Sequence, residues 1–298
     1  MLKKYVPLIN DASLNIADEV DKALVEENCP AVTNADKSTT CENNVVANEP
    51  SSTDSKSAIV SFFEKNNIII ITEKCVPSTD PIMYLVNAIA ECLPLGEDFL
   101  HLLRKSICNK EGHFEYNLSK LDVSKRGAII KIANIMKNCG VFSQMLINTW
   151  TISGNVSSAA RVKNFLSGVW LELYSQQVAI NVVKKYAKDH NLSYEVYSNL
   201  KVEDKQGVKH EIDLMFSLGS DMVFGAEIKS GLNFCDYDRY RLTAEWMHLI
   251  PDRFLLFNST LTDENATKCI SYFYQYFICG ISTFENTLNQ MLDKAING

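Results

Sequence analysis

Charged side chains interrupt two apolar segments that otherwise have the composition of buried β-strands. Asp213 lies inside an Ile-, Leu- and Phe-rich run at 210–218, and Glu227 and Lys229 lie inside a second run at 222–230. A charge on a buried sheet face is costly unless it is ion-paired or bound to a metal. The two segments therefore predict neighbouring strands that carry a polar cluster, and this feature constrains the fold of the chain most.

The length of the loop between these strands decides whether the two acids meet. A two-residue loop would place Asp213 opposite Ala226, with Glu227 facing away. A three-residue loop at 219–221 would place Asp213 directly opposite Glu227. Lys229, two residues farther along, would project to the same face as Glu227, roughly 7 Å away. If the acids act together, the sequence requires the three-residue loop or a bulge.

The segments around this strand pair alternate between helix and strand. The segment 162–188 is apolar almost all round, which predicts a helix between two layers. The other predicted elements are strands at 194–202, 210–218, 222–230 and 253–259, a helix near 236–249, and closing helices at 266–279 and 283–295. The expected fold class is α/β (α+β), with an αβββαβ core in a domain at 161–298.

Three motifs on this frame resemble a known enzyme superfamily. They are Phe165–Tyr174, which contains Glu172, then Glu211–Leu214, and then Glu227–Gly231. Together they resemble the restriction-endonuclease-like core of the PD-(D/E)XK phosphodiesterases. More narrowly, they are similar to the nuclease domain of the CARF-fused ancillary nucleases of type III CRISPR systems, over residues 160–260.

The resemblance implies a metal-dependent endonuclease that hydrolyses phosphodiester bonds in DNA and/or RNA, in anti-phage or CRISPR-associated defence. It implies that Asp213, Glu227 and the backbone carbonyl of Ile228 bind Mg²⁺ or Mn²⁺. The motif lysine corresponds to Lys229, which would orient the attacking water or neutralise transition-state charge. Glu172 would hold a second metal or a hydrated one. The alternative is an ion-pair cluster in a catalytically silent nucleic-acid-binding or adaptor protein.

Two kinds of polar residue near the motifs are given structural roles. Glu211 is interpreted as a structural acid on the strand face opposite to Asp213. His210 and His248 are isolated, and we interpret them as surface or core histidines rather than as catalytic bases.

Residues 58–160 predict a small domain with the element order of a winged helix. After a strand at 68–71, the elements in this order are a helix from Pro81, a helix at 96–108, a strand at 113–118, a helix at 123–138 and a hairpin at 141–152. The two strands of the hairpin meet near Asn148 and end at Ser153-Gly154. A winged-helix-like region also precedes the nuclease in the CARF-fused proteins. The 123–138 helix would be the recognition helix, with Lys125, Arg126 and Lys131 facing phosphates. A solvated face of an ordinary amphipathic helix is the alternative.

Charge is distributed unevenly along the chain. The formal net charge of −7 argues against a general nucleic-acid binder, yet residues 82–165 carry ten Lys or Arg against six Asp or Glu. Arg239 and Arg241 lie beside tyrosines after the second charged strand, which suits a nucleic-acid track. An amphipathic helix face explains these two arginines equally well.

Residues 1–57 predict an acidic, largely disordered tail. They contain five Lys against ten Asp or Glu, and 28–57 has no aromatic residue with which to build a core. The CARF-fused family has a sensor for cyclic oligoadenylate where this chain has a linker. There is no signal-peptide core or membrane-spanning run, and the nine cysteines form no Cys-x-x-Cys pair. We expect a cytoplasmic protein with no membrane partner.

The closing helix at 266–279 carries an aromatic stripe that predicts an interface. Its members are Tyr272, Phe273, Tyr276 and Phe277. A homodimer through this helix would provide the two active sites that are needed to break both strands of a duplex. The alternative is that the stripe covers the sheet edge beside the 253–259 strand.

Overall fold

The structure is a computed structural model that describes residues 57–72, 80–109, 111–231 and 236–297. Within these ranges, residues 95–163 form one compact unit, and residues 57–94 together with 164–297 form the other. Sequence analysis placed 58–160 in one domain and 161–298 in the second, so the observed grouping differs for residues 58–94 and 161–163. The predicted tail lies outside the described residues, apart from Ser57.

The described ranges contain the following elements in chain order. The strands are β1 (Ile68–Thr72), β2 (His113–Asn117), β3 (Phe142–Ile147), β4 (Thr151–Val156), β5 (Tyr194–Asp204), β6 (Lys209–Leu218), β7 (Met222–Lys229), β8 (Phe254–Asn258) and β9 (Phe277–Cys279). The α-helices are α1 (Ala58–Lys65), α2 (Asp80–Ser106), α3 (Val123–Asn138), α4 (Ala160–Asn164), α5 (Trp170–His190), α6 (Tyr237–Trp246), α7 (Glu264–Tyr274) and α8 (Phe284–Asn297).

The larger unit is a mixed α+β structure built on a six-stranded sheet with the order β1-β5-β6-β7-β8-β9. The pairs β1–β5, β5–β6 and β6–β7 are antiparallel, whereas β8 pairs in parallel with both β7 and β9. The predicted order of α5, three strands, α6 and β8 is observed. Strands β1 and β9 extend this core at its two edges.

Strand β1 belongs to the larger unit because it completes a hydrophobic cluster there. Ile68 packs with Ile59 and Phe63 of α1 and with Leu200 of β5, and the backbone of β1 pairs antiparallel with β5. Glu195 of β5 accepts hydrogen bonds from the Ser57 hydroxyl and from two N–H groups of the first turn of α1. The strand predicted at 68–71 is therefore observed, but it pairs within the six-stranded sheet, whereas sequence analysis placed it in the 58–160 domain.

Two of the predicted helices have different boundaries in the structure. Instead of separate helices from Pro81 and at 96–108, a single 27-residue helix, α2, continues through Pro94. A proline removes one backbone hydrogen bond, and the helix continues through Pro94 without it. The 162–188 helix is instead divided by a π-helical turn at Phe165–Val169, which separates α4 from α5. No helix within the described ranges is both long and apolar enough to cross a bilayer.

The smaller unit contains α3 and an antiparallel sheet with the order β2-β4-β3. Helix α3 begins after Asp122, whose carboxylate caps it by accepting the Lys125 N–H at 2.8 Å. The hairpin turns near Asn148 as predicted, but β4 continues through Gly154 instead of ending there. A Cβ on Gly154 would lie 2.1 Å from the Gln144 carbonyl oxygen, so glycine allows β3 to approach closely at its bulge. The strand–helix–hairpin order is observed, and its assignment as a winged helix stays a prediction.

The predicted helix at 266–279 is observed only as far as Tyr274, and the remaining five residues are not helical. Helix α7 ends at Tyr274, and Gln275 follows in a left-handed conformation. Phe277–Cys279 is strand β9, which pairs with β8. The aromatic residues are thereby divided: Tyr272 and Phe273 are 88% and 77% exposed, whereas Tyr276 is 4% exposed.

Candidate active site

The β6–β7 hairpin has the register that brings the two acids together. Leu218 pairs with Met222 across a three-residue loop, as the chemistry required. The ladder ends at Leu214–Ala226, and continuing its register places Asp213 opposite Glu227. The structure thus has the three-residue loop, one of the two arrangements that the sequence required if the acids act together.

The side chain of Asp213 makes the hydrogen bonds at the point where the backbone ladder between β6 and β7 ends. Its Oδ2 accepts the backbone N–H of Ile228 at 2.7 Å and the ammonium of Lys229 at 2.9 Å. A carboxylate that accepts two such bonds is held in one orientation. The end of the hairpin is therefore closed by a side chain instead of by backbone pairing.

Lys229 joins the two acids. Its Nζ lies 2.9 Å from Asp213 Oδ2 and 2.9 Å from Glu227 Oε2, and 5.4 Å from the centre of the Tyr240 ring. Burial lowers the pKa of Lys229, but the two carboxylates outweigh burial and raise it above its ordinary value. The lysine stays charged, and its charge is shared between the two acids.

Glu227 is the most buried acid of the group. Its residue is 5% exposed, and burial, followed by the charge of Asp213, raises its pKa to about 7 even though Lys229 acts in the opposite direction. One cation does not compensate fully for two carboxylates at this depth.

Glu172 comes to the same place from the first turn of α5. Burial raises the pKa of Glu172, and the nearby charge of Asp213 raises it further, while a hydrogen bond from Asn199 and the charge of Lys229 lower it. Of the four residues that sequence analysis selected as catalytic, Asp213, Glu227 and Lys229 are in direct contact. Glu172 lies close enough for the charges of Asp213 and Lys229 to shift its pKa.

A pocket of about 440 Å³ opens beside this cluster. Its walls come from the π-helical turn, the start of α5 and the end of β7: Ser167, Gly168, Leu171, Glu172, Ile228, Lys229, Ser230 and Gly231. The Ser230 hydroxyl donates to the Ser167 carbonyl at 3.3 Å, which ties the end of β7 to the turn. The π-helical turn therefore shapes the opening through which Glu172 and Lys229 are reached.

The carboxylates are hard oxygen donors of the kind that Mg²⁺ and Mn²⁺ prefer. Among the described residues, however, no three His, Cys, Asp or Glu side chains are arranged closely enough to hold a metal ion. The Lys229 ammonium lies between Asp213 and Glu227 instead. The donor chemistry fits a divalent cation, and binding one requires the lysine to give up at least one of these contacts.

The cations proposed to bind nucleic acid have different surroundings. Lys125 pairs with Asp98 at 3.0 Å. Arg126 donates to the Leu121 carbonyl and lies 5.8 Å from the Trp150 ring centre.

The other three predicted cations lie at or near the surface. Lys131 and Arg239 are exposed. Arg241 pairs within its own helix with Asp238 and Glu245, which offsets its charge.

Sequence analysis overlooked one site residue and misplaced another. Asn199 of β5 falls opposite Asp213 in the β5–β6 register, and its side chain lowers the pKa of Glu172, but an isolated Asn in a strand gave no signal. The strand face predicted for Glu211 was wrong, because residues two apart in a strand share a face; its role as a structural acid stays a prediction. Glu211 pairs with Lys201 at 3.5 Å, and its charge raises the pKa of Glu172. The two-residue spacing from Asp213 could have revealed this.

The chain shares its fold with two solved structures. Protein VC1899 from Vibrio cholerae superposes with a TM-score of 0.51 at 13% identity, covering 78% of this chain and 60% of that protein. Can2 from Sulfobacillus thermosulfidooxidans, in complex with cyclic tetra-adenylate, superposes with a TM-score of 0.54 at 9% identity, covering 79% of this chain and 61% of Can2.

At these identities the likeness shows a common fold alone, and the chain spans about three fifths of the length of either protein. No family model and no curated protein matches the sequence.

Proposed function

We propose that the protein is a divalent-metal-dependent endonuclease that hydrolyses phosphodiester bonds in DNA and/or RNA. The observation that carries this proposal is the grouping of Glu172, Asp213 and Glu227 around Lys229 beside an open pocket. Three acids with one lysine leave a local excess of negative charge. A divalent cation would remove that excess, and a phosphodiester would then meet a site that is no longer repulsive.

In this proposal Asp213, Glu227 and the Ile228 carbonyl hold Mg²⁺ or Mn²⁺, with Glu172 bound directly or through water. The metal supplies Lewis-acid polarisation of a phosphoryl oxygen and a lowered pKa of water. Lys229, which lines the pocket, places its ammonium against the charge that builds up on the phosphoryl oxygens. Water oxygen attacks phosphorus, the bond to the leaving oxygen breaks, and the leaving oxygen takes up a proton.

The second candidate is a catalytically silent nucleic-acid-binding or adaptor protein. It is favoured by the 2.9 Å contacts of Lys229 with both acids, which give each carboxylate a partner without a metal. Salt-sensitive DNA binding that needs no metal and is lost on Lys131→Glu, without cleavage by the wild type, would select this candidate.

Cleavage assays separate the two candidates. Purified protein is incubated with supercoiled DNA, single-stranded DNA or RNA in Mg²⁺, Mn²⁺ or EDTA, and product is quantified. We expect metal-dependent cleavage that Asp213→Asn abolishes. Asp221→Asn, an exposed acid in the loop of the same hairpin, is the matched control and should cut like the wild type. Equal cleavage by Asp213→Asn, or none by the wild type, contradicts the proposal.

The setting in which the nuclease acts is also proposed. The fold likeness to Can2, whose structure holds cyclic tetra-adenylate, agrees with the resemblance to CARF-fused CRISPR nucleases and suggests a role in antiviral defence in the cytoplasm. Adding cyclic tetra-adenylate to the cleavage assay tests whether this chain responds to it.

We further propose that the protein forms a homodimer whose interface contains Tyr272 and Phe273 of the predicted aromatic stripe. Tyr276 is excluded as a surface residue because its hydroxyl donates to the Tyr237 carbonyl at 2.9 Å inside the fold. The proposed interface therefore contains only the two exposed members of the predicted stripe, Tyr272 and Phe273 at the end of α7.

A further inference from the structure

The turn between β3 and β4 presents a tryptophan to solvent. Trp150 is 56% exposed, whereas Trp170 is buried and Trp246 is half-buried. Tryptophan side chains are on average highly buried in folded proteins. The exposed indole therefore gives this turn an apolar surface that the smaller unit does not cover.

The backbone around Trp150 is fixed by hydrogen bonds. The side-chain oxygen of Asn148 accepts the N–H of Trp150 at 2.9 Å and the N–H of Thr151 at 2.7 Å. The Trp150 carbonyl accepts the N–H of Leu118 at 2.7 Å, which joins the turn to the segment after β2. A side chain on such a backbone is presented in a defined position, so a ligand that binds it loses little affinity to ordering of the turn.

A cation lies beside the exposed indole. The guanidinium carbon of Arg126 is 5.8 Å from the centre of the Trp150 ring, which is within cation–π distance. Arg126 also donates to the Leu121 carbonyl at 3.3 Å, so its position is tied to the segment before α3. The tip of the hairpin thus combines an aromatic surface with a positive charge, and this combination binds the bases and phosphates of unpaired strands.

The charge of the smaller unit favours an anionic partner. Residues 95–163 contain ten Lys or Arg against five Asp or Glu, although the whole chain has a net charge of −7. Lys120, which lies between the backbone contacts of Trp150 and Arg126 at Leu118 and Leu121, is exposed. A polyanion is therefore attracted to this unit even though the protein as a whole is acidic.

We propose that the tip of the β3–β4 hairpin binds single-stranded nucleic acid, with Trp150 stacked on an unpaired base and Arg126 beside it. Nucleobases carry flat π-faces on an anionic backbone, and both features match this tip. In a duplex the bases are stacked on one another, so an indole reaches a base face only where the strands are open. The site contains none of the candidate catalytic residues and needs no metal. It adds a binding site to the proposed function and applies equally to a catalytically silent protein.

Binding in EDTA tests this site without cleavage. Fluorescence anisotropy with the full chain measures Kd for a labelled DNA strand, for the RNA strand of the same sequence and for the DNA duplex. We expect Trp150→Ala to weaken binding of both single strands by about 5- to 150-fold, the effect of losing one stacked base, and to leave duplex binding unchanged. The dependence of Kd on salt should stay the same, because no phosphate contact is removed. Trp150→Phe keeps an aromatic ring and should retain most of the affinity.

Tyr84→Ala is the matched control for loss of an exposed aromatic side chain. Tyr84 is also 56% exposed, but it lies on α2 within the larger unit, and its replacement should leave every Kd unchanged. A second measurement needs no variant and covers the case in which Trp150→Ala does not fold. Wild-type protein is irradiated with a single strand that contains 5-iodouracil, and the cross-linked peptide is identified by mass spectrometry. We expect the cross-link at Trp150.

Three outcomes contradict the inference. They are wild-type affinity for single strands in Trp150→Ala, an equal loss of affinity for single strands and duplex, and cross-links that lie only elsewhere in the wild type. Cleavage in Mg²⁺ is measured separately, so the two proposals can fail independently. Metal-dependent cleavage combined with any of these three outcomes overturns the stacking site and leaves the nuclease proposal standing. A cross-link at Trp150 in a protein that does not cleave supports the stacking site and overturns the nuclease proposal.

Discussion

Replacing Lys229 with Met should destabilise the larger unit in a pH-dependent way. The substitution keeps much of the side-chain stem and removes an ammonium that lies 2.9 Å from both Asp213 and Glu227. Since Glu227 is 5% exposed, its charge would be left without a partner. Removing one partner of a buried pair costs about 3–5 kcal/mol. With a urea slope of about 3 kcal/mol per molar, the midpoint should fall by about 1–2 M at pH 8.

The loss should be smaller at pH 5. The pKa of Glu227 is already raised to about 7, and loss of the lysine charge raises it further. At pH 5 the variant therefore carries a protonated Glu227 that needs no cation. At pH 8 the folded state must either hold an uncompensated charge on Glu227 or bind a proton that the unfolded state does not bind, and both cost stability.

Urea titrations in EDTA at both pH values measure this difference. A Trp150→Phe background leaves Trp170 and Trp246, both in the larger unit, as the fluorescence reporters. Lys201→Met is the control because its ion pair with Glu211 is exposed and should cost less than about 1 kcal/mol. Equal losses for the two variants, or a Lys229→Met loss that does not change between pH 5 and pH 8, would refute the reasoning.

Three more outcomes are expected. Glu227 has a folded pKa of about 7 against an ordinary 4.5, so its stabilising contribution is complete below pH 4.5 and is lost as pH rises through 7. In EDTA, Glu227→Gln should make the free energy of unfolding depend less on pH in this range, and an unchanged pH dependence would contradict this prediction. Gly154→Ala should destabilise the smaller unit by about 1–3 kcal/mol in urea unfolding, because its Cβ would lie 2.1 Å from a β3 carbonyl; Gly127→Ala in α3, with open space around it, should instead gain about 1 kcal/mol, and equal effects would argue against the close approach. Light scattering at micromolar concentration should show a dimer that Tyr272→Ser/Phe273→Ser converts to a monomer, whereas a wild-type monomer would exclude this interface.

The charged strands of the candidate site could be predicted because charge inside an apolar run is locally visible. Asp213, Glu227 and Lys229 each stand out against their neighbours, and the loop length then defines the register by counting. Glu172 required the resemblance to a known family, since one Glu at the start of an apolar helix is not unusual.

The remaining features depend on contacts distant in sequence. The isoleucines of β1 predict a strand but do not reveal that its partner, β5, begins more than a hundred residues later. Pro94 resembles a helix end locally, yet α2 continues through it. Asn199 affects the pKa of Glu172, which belongs to a different element, and the residues around Asn199 in sequence do not reveal this.

The end of the β6–β7 ladder at Leu214–Ala226 has a consequence for the order of folding. The hairpin can close from its three-residue loop using neighbours in sequence, which is fast. The other edge of β7 pairs with β8, where Glu227 lies beside Leu256 and Lys229 beside Asn258. During synthesis, the hairpin can form once the chain has been made as far as Lys229. The pairing of β7 with β8 has to wait until Asn258 has also left the ribosome. The candidate site is therefore assembled late, after the hairpin that carries it.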